Sequence, residues 1–331
     1  MKEITIGKND AGQRLDKFLF KTFPDLPASI LYKSIRLKRI KVGGKRAVIG
    51  QTLHEGDLLQ LYVNDEFLGQ AQRRELFHAV PKALRIVYED QNLLLLDKPA
   101  GLLCHEDQRE RRDTLINRML RYLYEKGEYD PAAEQSFTPA LCNRIDRNTQ
   151  GLVIAAKTAA ALREMDELLR SRGVEKRYLC VALGRLPKER DLLRGYHTKD
   201  EAKGLVKITP APREGARTAL TEYRVLSCKD GLSLLMVTLH TGRTHQIRAH
   251  LAAIGHPLLG DTKYGTAKQN ERYGERRQML CSYSLRFPAL PPDSALHALS
   301  ERSFRVGRVE FLSRYFTDYQ NFPIRGTEDE C

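Results

Sequence analysis

Leu141-Cys142-Asn143-Arg144-Ile145-Asp146-Arg147-Asn148-Thr149-Gln150-Gly151, running on into Leu152-Val153-Ile154-Ala155-Ala156, is the stretch on which the rest of the chain turns. Its first part packs two arginines, a carboxylate, several amides and a hydroxyl into a polar loop. Its second part is an apolar run of strand length, which reads as a buried strand. An acid flanked on both sides by arginine is expected to be ionised, because nearby positive charge stabilises the carboxylate. A carboxylate held beside a cleft is a candidate nucleophile. Taken alone, the stretch is equally well read as a surface salt-bridge loop.

Working outward, four further segments are informative in their order. They are Asp97-Lys98-Pro99-Ala100-Gly101, Lys176-Arg177-Tyr178, Ala219-Leu220-Thr221-Glu222-Tyr223, and Thr241-Gly242-Arg243-Thr244-His245-Gln246-Ile247-Arg248 leading to Gly255-His256-Pro257-Leu258-Leu259-Gly260-Asp261. With Arg144-Ile145-Asp146, Thr149 and Gly151, this set resembles the RluA-type RNA pseudouridine synthases, whose motif has the form His-Arg-Leu-Asp-x-x-Thr-Ser-Gly. The resemblance spans roughly residues 85 to 290. Three positions depart from the pattern: Asn143 stands for His, Gln150 for Ser, and Cys281 for the His of a common Leu-His pair.

The bulk properties fit a nucleic-acid enzyme. The 331 residues, 41% hydrophobic, suffice for one large domain and a smaller one. A formal charge of +13 points to a polyanionic partner, with RNA ahead of an anionic membrane surface. No segment approaches the ~18 apolar residues of a membrane span, and the start Met1-Lys2-Glu3-Ile4 lacks a signal-peptide apolar region. A soluble, cytoplasmic monomer is therefore expected. The six cysteines are scattered without a Cys-x-x-Cys pair, which argues against a zinc module or a disulfide framework and for buried free thiols.

Residues 1 to 63 read as a small module. Asp10 and Gln13 have capping-box spacing ahead of a helix with Leu15, Phe18, Leu19 and Thr22 on one face. Ser29 is placed to cap a second helix from Ile30 to about Lys38. A hairpin turning at Gly43-Gly44 and a strand from Asp57 to Val63 follow. Lys33, Arg36, Lys38, Arg39, Lys41, Lys45 and Arg46 fall within a stretch, Asp25 to Glu55, that has no acidic residue inside it. Charge of one sign favours phosphate contact over an ordinary mixed surface. The module resembles the S-four-type RNA-binding domain, through Arg14-Leu15-Asp16, the basic second helix and the Lys41-Val42 strand. Residues 64 to 83 are polar and aperiodic, like a linker.

From residue 84 to 331 the pattern implies a catalytic domain. Strands are expected at Leu84–Tyr88, Leu93–Asp97, Arg177–Leu183, Leu220–Leu226, Leu232–Leu239 and Met279–Phe287. Helices are expected at Asp113–Tyr124, Thr158–Arg172 (stopped by Gly173) and His245–Ile254. The stripe Leu162, Met165, Leu168 and Leu169 is assigned to core, as are Ile247, Leu251 and Ile254. Residues 184 to 217 read as an excursion of short strands, with edge structure near 305 to 312. The fold class is α+β, a mainly antiparallel mixed sheet with a small α/β RNA-binding module.

The reaction implied by the resemblance detaches uracil from its ribose, turns it, and rejoins it through carbon. No cofactor is expected, and the sequence has no phosphate-cradling loop. The resemblance assigns Asp146 as the catalytic carboxylate, Arg248 as its partner and Tyr178 as the aromatic that stacks on the target base. Arg144 is implied in the gap left by the extruded base, and Thr149 in the same substrate loop. Arg243 and Lys98 are expected at phosphate. His240, His245, His250 and His256 do not form a metal set, since His245 and His250 lie about 500° apart around a helix. The expected substrate is large-subunit ribosomal RNA, with tRNA as the alternative. Two rivals are a non-catalytic ribosome-assembly factor that keeps the fold, and a nuclease using Asp146 with the histidines.

Overall fold

The computed structural model describes residues 1–69, 76–200 and 204–319. Residues 70–75 of the expected linker, 201–203 and 320–331, Cys331 among them, fall outside those ranges.

The N-terminal part has the order β1 (Lys2–Thr5), α1 (Leu15–Thr22), α2 (Ala28–Arg36), β2 (Ile40–Val42), β3 (Lys45–Arg46) and β4 (Leu58–Leu61). Its four strands form one antiparallel sheet, ordered β1-β4-β2-β3. Strand β1, unforeseen in the sequence, pairs with β4. The β2–β3 turn is made by Gly43 and Gly44 at φ 55° and 74°, the left-handed pair that a two-residue hairpin requires. Ile4, Leu15, Phe18, Leu19, Leu31, Ile35 and Leu59 close a core of their own.

Two capping expectations are corrected here. Helix α1 begins after Arg14, with no side-chain cap. Asp10 instead accepts hydrogen bonds from the Ser136 N–H (3.2 Å) and hydroxyl, and Gln13 donates to the Ser136 hydroxyl at 2.9 Å. Helix α2 follows Pro27, whose fixed φ suits a helix start, and Ser29 lies inside it. Further contacts cross the same seam. Asn9 donates to Glu134 at 3.0 Å and accepts the Ala159 N–H at 3.3 Å.

The larger part is one eleven-stranded sheet. Its strands are β5 (Ile86–Glu89), β6 (Leu93–Lys98), β7 (Ala140–Leu141), β8 (Gln150–Ala156), β9 (Glu175–Leu183), β10 (Arg190–Asp200), β11 (Leu205–Thr209), β12 (Arg217–Lys229), β13 (Leu232–Leu239), β14 (Leu280–Arg286) and β15 (Ser303–Arg305). The order is β11-β10-β12-β13-β9-β14-β8-β6-β5, with β7 beside β8 and β15 beside β14. All pairs are antiparallel except β14 with β8. Among the described residues the 184–217 excursion is a long strand followed by a shorter one, rather than several short ones.

Strands β6 and β8 are buried along their whole length. Both of their faces are covered, which explains a continuous apolar run instead of alternation. On one face Leu94, Leu96, Val153 and Ala155 meet Met119 and Leu123 of α3 (Leu115–Glu125). On the other, Leu93, Leu95 and Ile154 meet Ala161 and Met165 of α4 (Ala159–Arg170). Thr114 and Thr158 cap these helices with their hydroxyls. The stop of α4 differs from expectation. Arg172 takes the left-handed conformation at φ 64°, and a Cβ at Gly173 would lie 2.4 Å from a terminal methyl of Leu168, which would have to turn aside.

Glu89 ties β5 to its surroundings by accepting from Tyr122 (2.7 Å), Lys126 (2.7 Å) and Lys157 (3.0 Å). The remaining helices are α5 (Gln246–Ala253), α6 (Ala267–Glu271) and α7 (Leu312–Tyr315). Helix α5 is buried nearly all round, so it shows no apolar stripe, and Ile254, assigned to its buried face, is exposed. Leu169 packs against the core as read and also reaches the wall of the cleft described below. Cys104, Cys180 and Cys281 are buried free thiols as read, whereas Cys228 is exposed. Among the described residues no helix is long and apolar enough to cross a membrane.

Candidate active site

The Asp146 loop is held from three directions. Thr149 N–H donates to the Asp146 carbonyl at 3.0 Å, closing the turn. Gly101 N–H donates to the Arg147 carbonyl at 2.8 Å, and Arg147 Nε returns a bond to Gly101. Gly151 sits at φ 116°, where a Cβ would lie 2.2 Å from the Ser282 carbonyl. Only glycine lets β8 approach β14 this closely.

Lys98 was expected at phosphate, and the structure corrects this. Its side chain is fully buried, and Nζ donates to the carbonyls of Pro99 (3.0 Å), Leu102 (2.7 Å) and Arg147 (2.9 Å). Burial pulls its pKa down to about 8. It braces the loop from beneath and cannot reach RNA.

Arg248, 102 positions downstream, meets Asp146 from α5. One of its terminal nitrogens donates to Asp146 Oδ2 at 2.8 Å. Its Nε and other terminal nitrogen grip Asp261 at 2.7 and 3.0 Å. Asp261 is completely buried and also accepts the N–H groups of Lys263 and Tyr264. Burial opposes the charge on Arg248, but Asp261 first and Asp146 second outweigh it and raise its pKa. The guanidinium also lies over the Tyr264 ring, 5.1 Å from its centre.

The loop 241–245 that leads into α5 is shaped by Gln246. Its Oε1 accepts from Thr241 (2.8 Å) and the Arg243 N–H (3.1 Å), while Nε2 donates to Leu220 and Thr221. His245 consequently adopts a left-handed backbone, φ 52°, with Nε2 3.7 Å from Asp146 Oδ2.

These elements wall a cleft of about 790 Å³. Asp146, Arg144, Tyr178, Arg243, Arg248 and Thr149 all line it, so six residues scattered over more than a hundred positions come together. Tyr178, on β9, is buried, and burial pushes its phenol up to about 12, so the hydroxyl stays protonated. Arg144 is exposed at the mouth, while Thr149 is turned inward and accepts from Gln278 at 3.4 Å. The Nε of Arg243 is buried without a hydrogen-bond partner. Arg170, Lys176 and Lys199 add charge that the sequence reading missed, and Leu239, Ile247 and Leu280 add apolar wall.

The three departures from the motif serve the scaffold. Asn143 Oδ1 accepts the Ile154 N–H at 2.7 Å. Gln150 bonds the carbonyl of Arg308 and the N–H of Glu310. Cys281 is buried in the main core. Of the histidines, His250 pairs with Thr221 and His256 with the Leu183 carbonyl. Among the described residues no group of three or more His, Cys, Asp or Glu could hold a metal.

A wide cleft rich in cations, with Asp166 and an Asp146 carboxylate clamped by a buried guanidinium on its walls, fits an enzyme that acts on nucleic acid. The comparisons narrow the class. A family model described as RNA pseudouridylate synthase matches residues 92–253. Ribosomal large subunit pseudouridine synthase D of Nitrosomonas europaea is 34% identical over 265 residues, covering 80% of this chain and 72% of that protein. Its namesake from Xanthomonas campestris is 30% identical over 342 residues, covering 99% and 95%. Among solved structures, Human RNA Pseudouridylate Synthase Domain Containing 1 matches with a TM-score of 0.51 at 24% identity, covering 70% of this chain and 94% of that one. The chain belongs to the RNA pseudouridylate synthase family, in its RluA-type branch, and is an RNA pseudouridine synthase.

Proposed function

We propose that the protein isomerises uridine in large-subunit ribosomal RNA to pseudouridine, with Asp146 as the catalytic carboxylate. The observation that carries this reading is the Asp146–Arg248 pair at 2.8 Å on the wall of the cleft that Tyr178 lines. The named relatives are ribosomal large subunit pseudouridine synthases, which favours that RNA over tRNA and supports a cytoplasmic site of action. A target nucleotide must leave its helix to enter the cleft. Tyr178 offers a face for its uracil, and Arg144 at the mouth is positioned to fill the gap. Arg243, half-exposed on the cleft wall, is the group assigned to a phosphate.

In this reading residues 1–63 form an RNA-binding module of the S-four type, residues 64–83 join it, and 84–331 carry out catalysis. Support comes from the module's separate core and from its surface. Lys33, Arg36, Lys38, Arg39, Lys45 and Arg46 are exposed and Lys41 is half-exposed, with Tyr32, Val48 and Ile49 exposed among them.

The test is pseudouridine mapping of ribosomal and transfer RNA from cells that lack other synthases and express Asp146→Asn. Loss of modification at specific large-subunit sites supports the reading. Persistence at every site removes Asp146 from the chemistry, and shortened RNA on a gel would favour a nuclease.

A further inference from the structure

His245 has no assigned part in catalysis, yet its ring stands 3.7 Å from the Asp146 carboxylate. We infer that His245 is a positioning residue for Asp146, held as a neutral imidazole with its proton on Nε2 by the hydroxyl of Tyr264. The inference rests on the reading of Asp146 as the catalytic carboxylate.

Tyr264 Oη accepts the Val206 N–H at 2.9 Å, so its own O–H remains to be donated. His245 Nδ1 lies 3.0 Å away. Receiving that proton requires a lone pair on Nδ1, which leaves the imidazole hydrogen on Nε2. Nε2 faces Asp146 Oδ2 at 3.7 Å, the same oxygen that Arg248 already holds. Both donors therefore converge on one oxygen of the carboxylate. A separation of 3.7 Å is long for a hydrogen bond, and such contacts tighten when substrate closes the site.

The charged groups around the ring are Asp146 and Asp261 on one side of the balance, Arg248 and Lys263 on the other. Burial is the largest influence and lowers the pKa of His245 to about 4, so the ring is neutral at pH 7. A left-handed backbone is uncommon for a residue other than Gly, and it stands here beside the Gln246 bonds to Thr241 and the Arg243 N–H. Val206 lies on β11, so the chain of contacts runs from the sheet's outermost strand to the carboxylate.

The test uses the full-length protein labelled with ¹⁵N at histidine. The ring signals of His245, identified by their loss in His245→Asn, should report a proton on Nε2 at pH 7. Tyr264→Phe should give a mixture of tautomers. Single-turnover rates should fall roughly tenfold or more in both variants, with RNA affinity unchanged. Asn suits the left-handed backbone, and Tyr264→Phe removes one oxygen only, so at least one variant keeps the fold. A proton on Nδ1, an imidazolium at pH 7, or full turnover in both variants overturns the inference. An active Asp146→Asn would instead overturn the reading beneath it, while the tautomer measurement would still stand.

Discussion

Arg248 gives two nitrogens to Asp261, at 2.7 and 3.0 Å, and only one to Asp146. The Asp146–Arg248 pair is thus the weaker half of a triad whose stronger half is buried. Asp261→Asn leaves a buried guanidinium with one partner, and losing a buried partner costs about 3–5 kcal/mol. Asp146→Asn keeps that anchor at a partly exposed position and should lose activity with a much smaller loss of stability. Urea denaturation of the two variants tests this. An Asp261→Asn protein as stable as Asp146→Asn would contradict the ranking.

Lys98→Met should fold less stably, because the carbonyls of Pro99 and Leu102 lose their Lys98 donor and that of Arg147 keeps only the Gly101 N–H. Each buried polar group left unmet costs about 1–3 kcal/mol. The loop would lose its brace while the cleft kept its charges. Turnover should therefore drop with RNA affinity held, as filter binding and single-turnover assays would reveal. A rise in the RNA dissociation constant alone would restore Lys98 to a phosphate role.

Gly151→Ala and Gly127→Ala both place a side chain at positive φ, 116° and 74°. At Gly127 nothing lies within 4 Å, so the cost is the backbone strain alone, about 1–2 kcal/mol. At Gly151 the overlap with the Ser282 carbonyl is added, and strain plus overpacking together cost roughly 4 kcal/mol. Comparable melting temperatures for the two variants would refute the close β8–β14 approach.

Acid should weaken the junction around Glu89. Burial works against its charge, but bonds from Lys126, Tyr122 and Lys157 outweigh it and hold its pKa at about 2, against 4.5 unfolded. The folded value is the depressed one. The stabilisation is therefore complete above pH 4.5 and is lost as pH falls toward 2, at most about 3 kcal/mol. Stability measured from pH 6 to 2 should fall less steeply in Glu89→Gln than in the parent. Parallel curves would discount the site.

Replacing Lys33, Arg36, Lys45 and Arg46 by Gln should weaken RNA binding and flatten its salt dependence. Each phosphate that is no longer neutralised lowers the slope of log K against log salt by about 0.7 on single strands. At saturating RNA, turnover should be unaffected. An unaltered slope would remove this face from RNA binding.

How far the sequence carried depended on where each determinant lay. The polar loop before β8 and the Arg243–Arg248 segment were legible because their residues are contiguous. Thr158 capping α4 and the Gly43-Gly44 turn were legible for the same local reason. Lys98 was misread because a lysine after a strand looks the same whether it turns outward to phosphate or inward to carbonyls. Asp10 had the spacing of a cap, but its partner Ser136 lies 126 positions away. Asp261 stood in view without a role, because its grip on Arg248 depends on the turn that brings the Lys263 and Tyr264 N–H groups to it. The part played by His245 follows from a left-handed φ that the surrounding sequence does not announce.

Strand β14 fills the slot between β9 and β8, in the middle of the sheet, although it comes about a hundred residues after β9 begins. During synthesis, both neighbours emerge from the ribosome with that slot vacant. Two unsatisfied edges and one face of the cleft must wait until residue 286 is out. Pairings so distant are slow to close. A nascent chain halted near residue 240 should therefore hold its small N-terminal core yet remain open to proteases between β8 and β9, and gain protection only once β14 has been made.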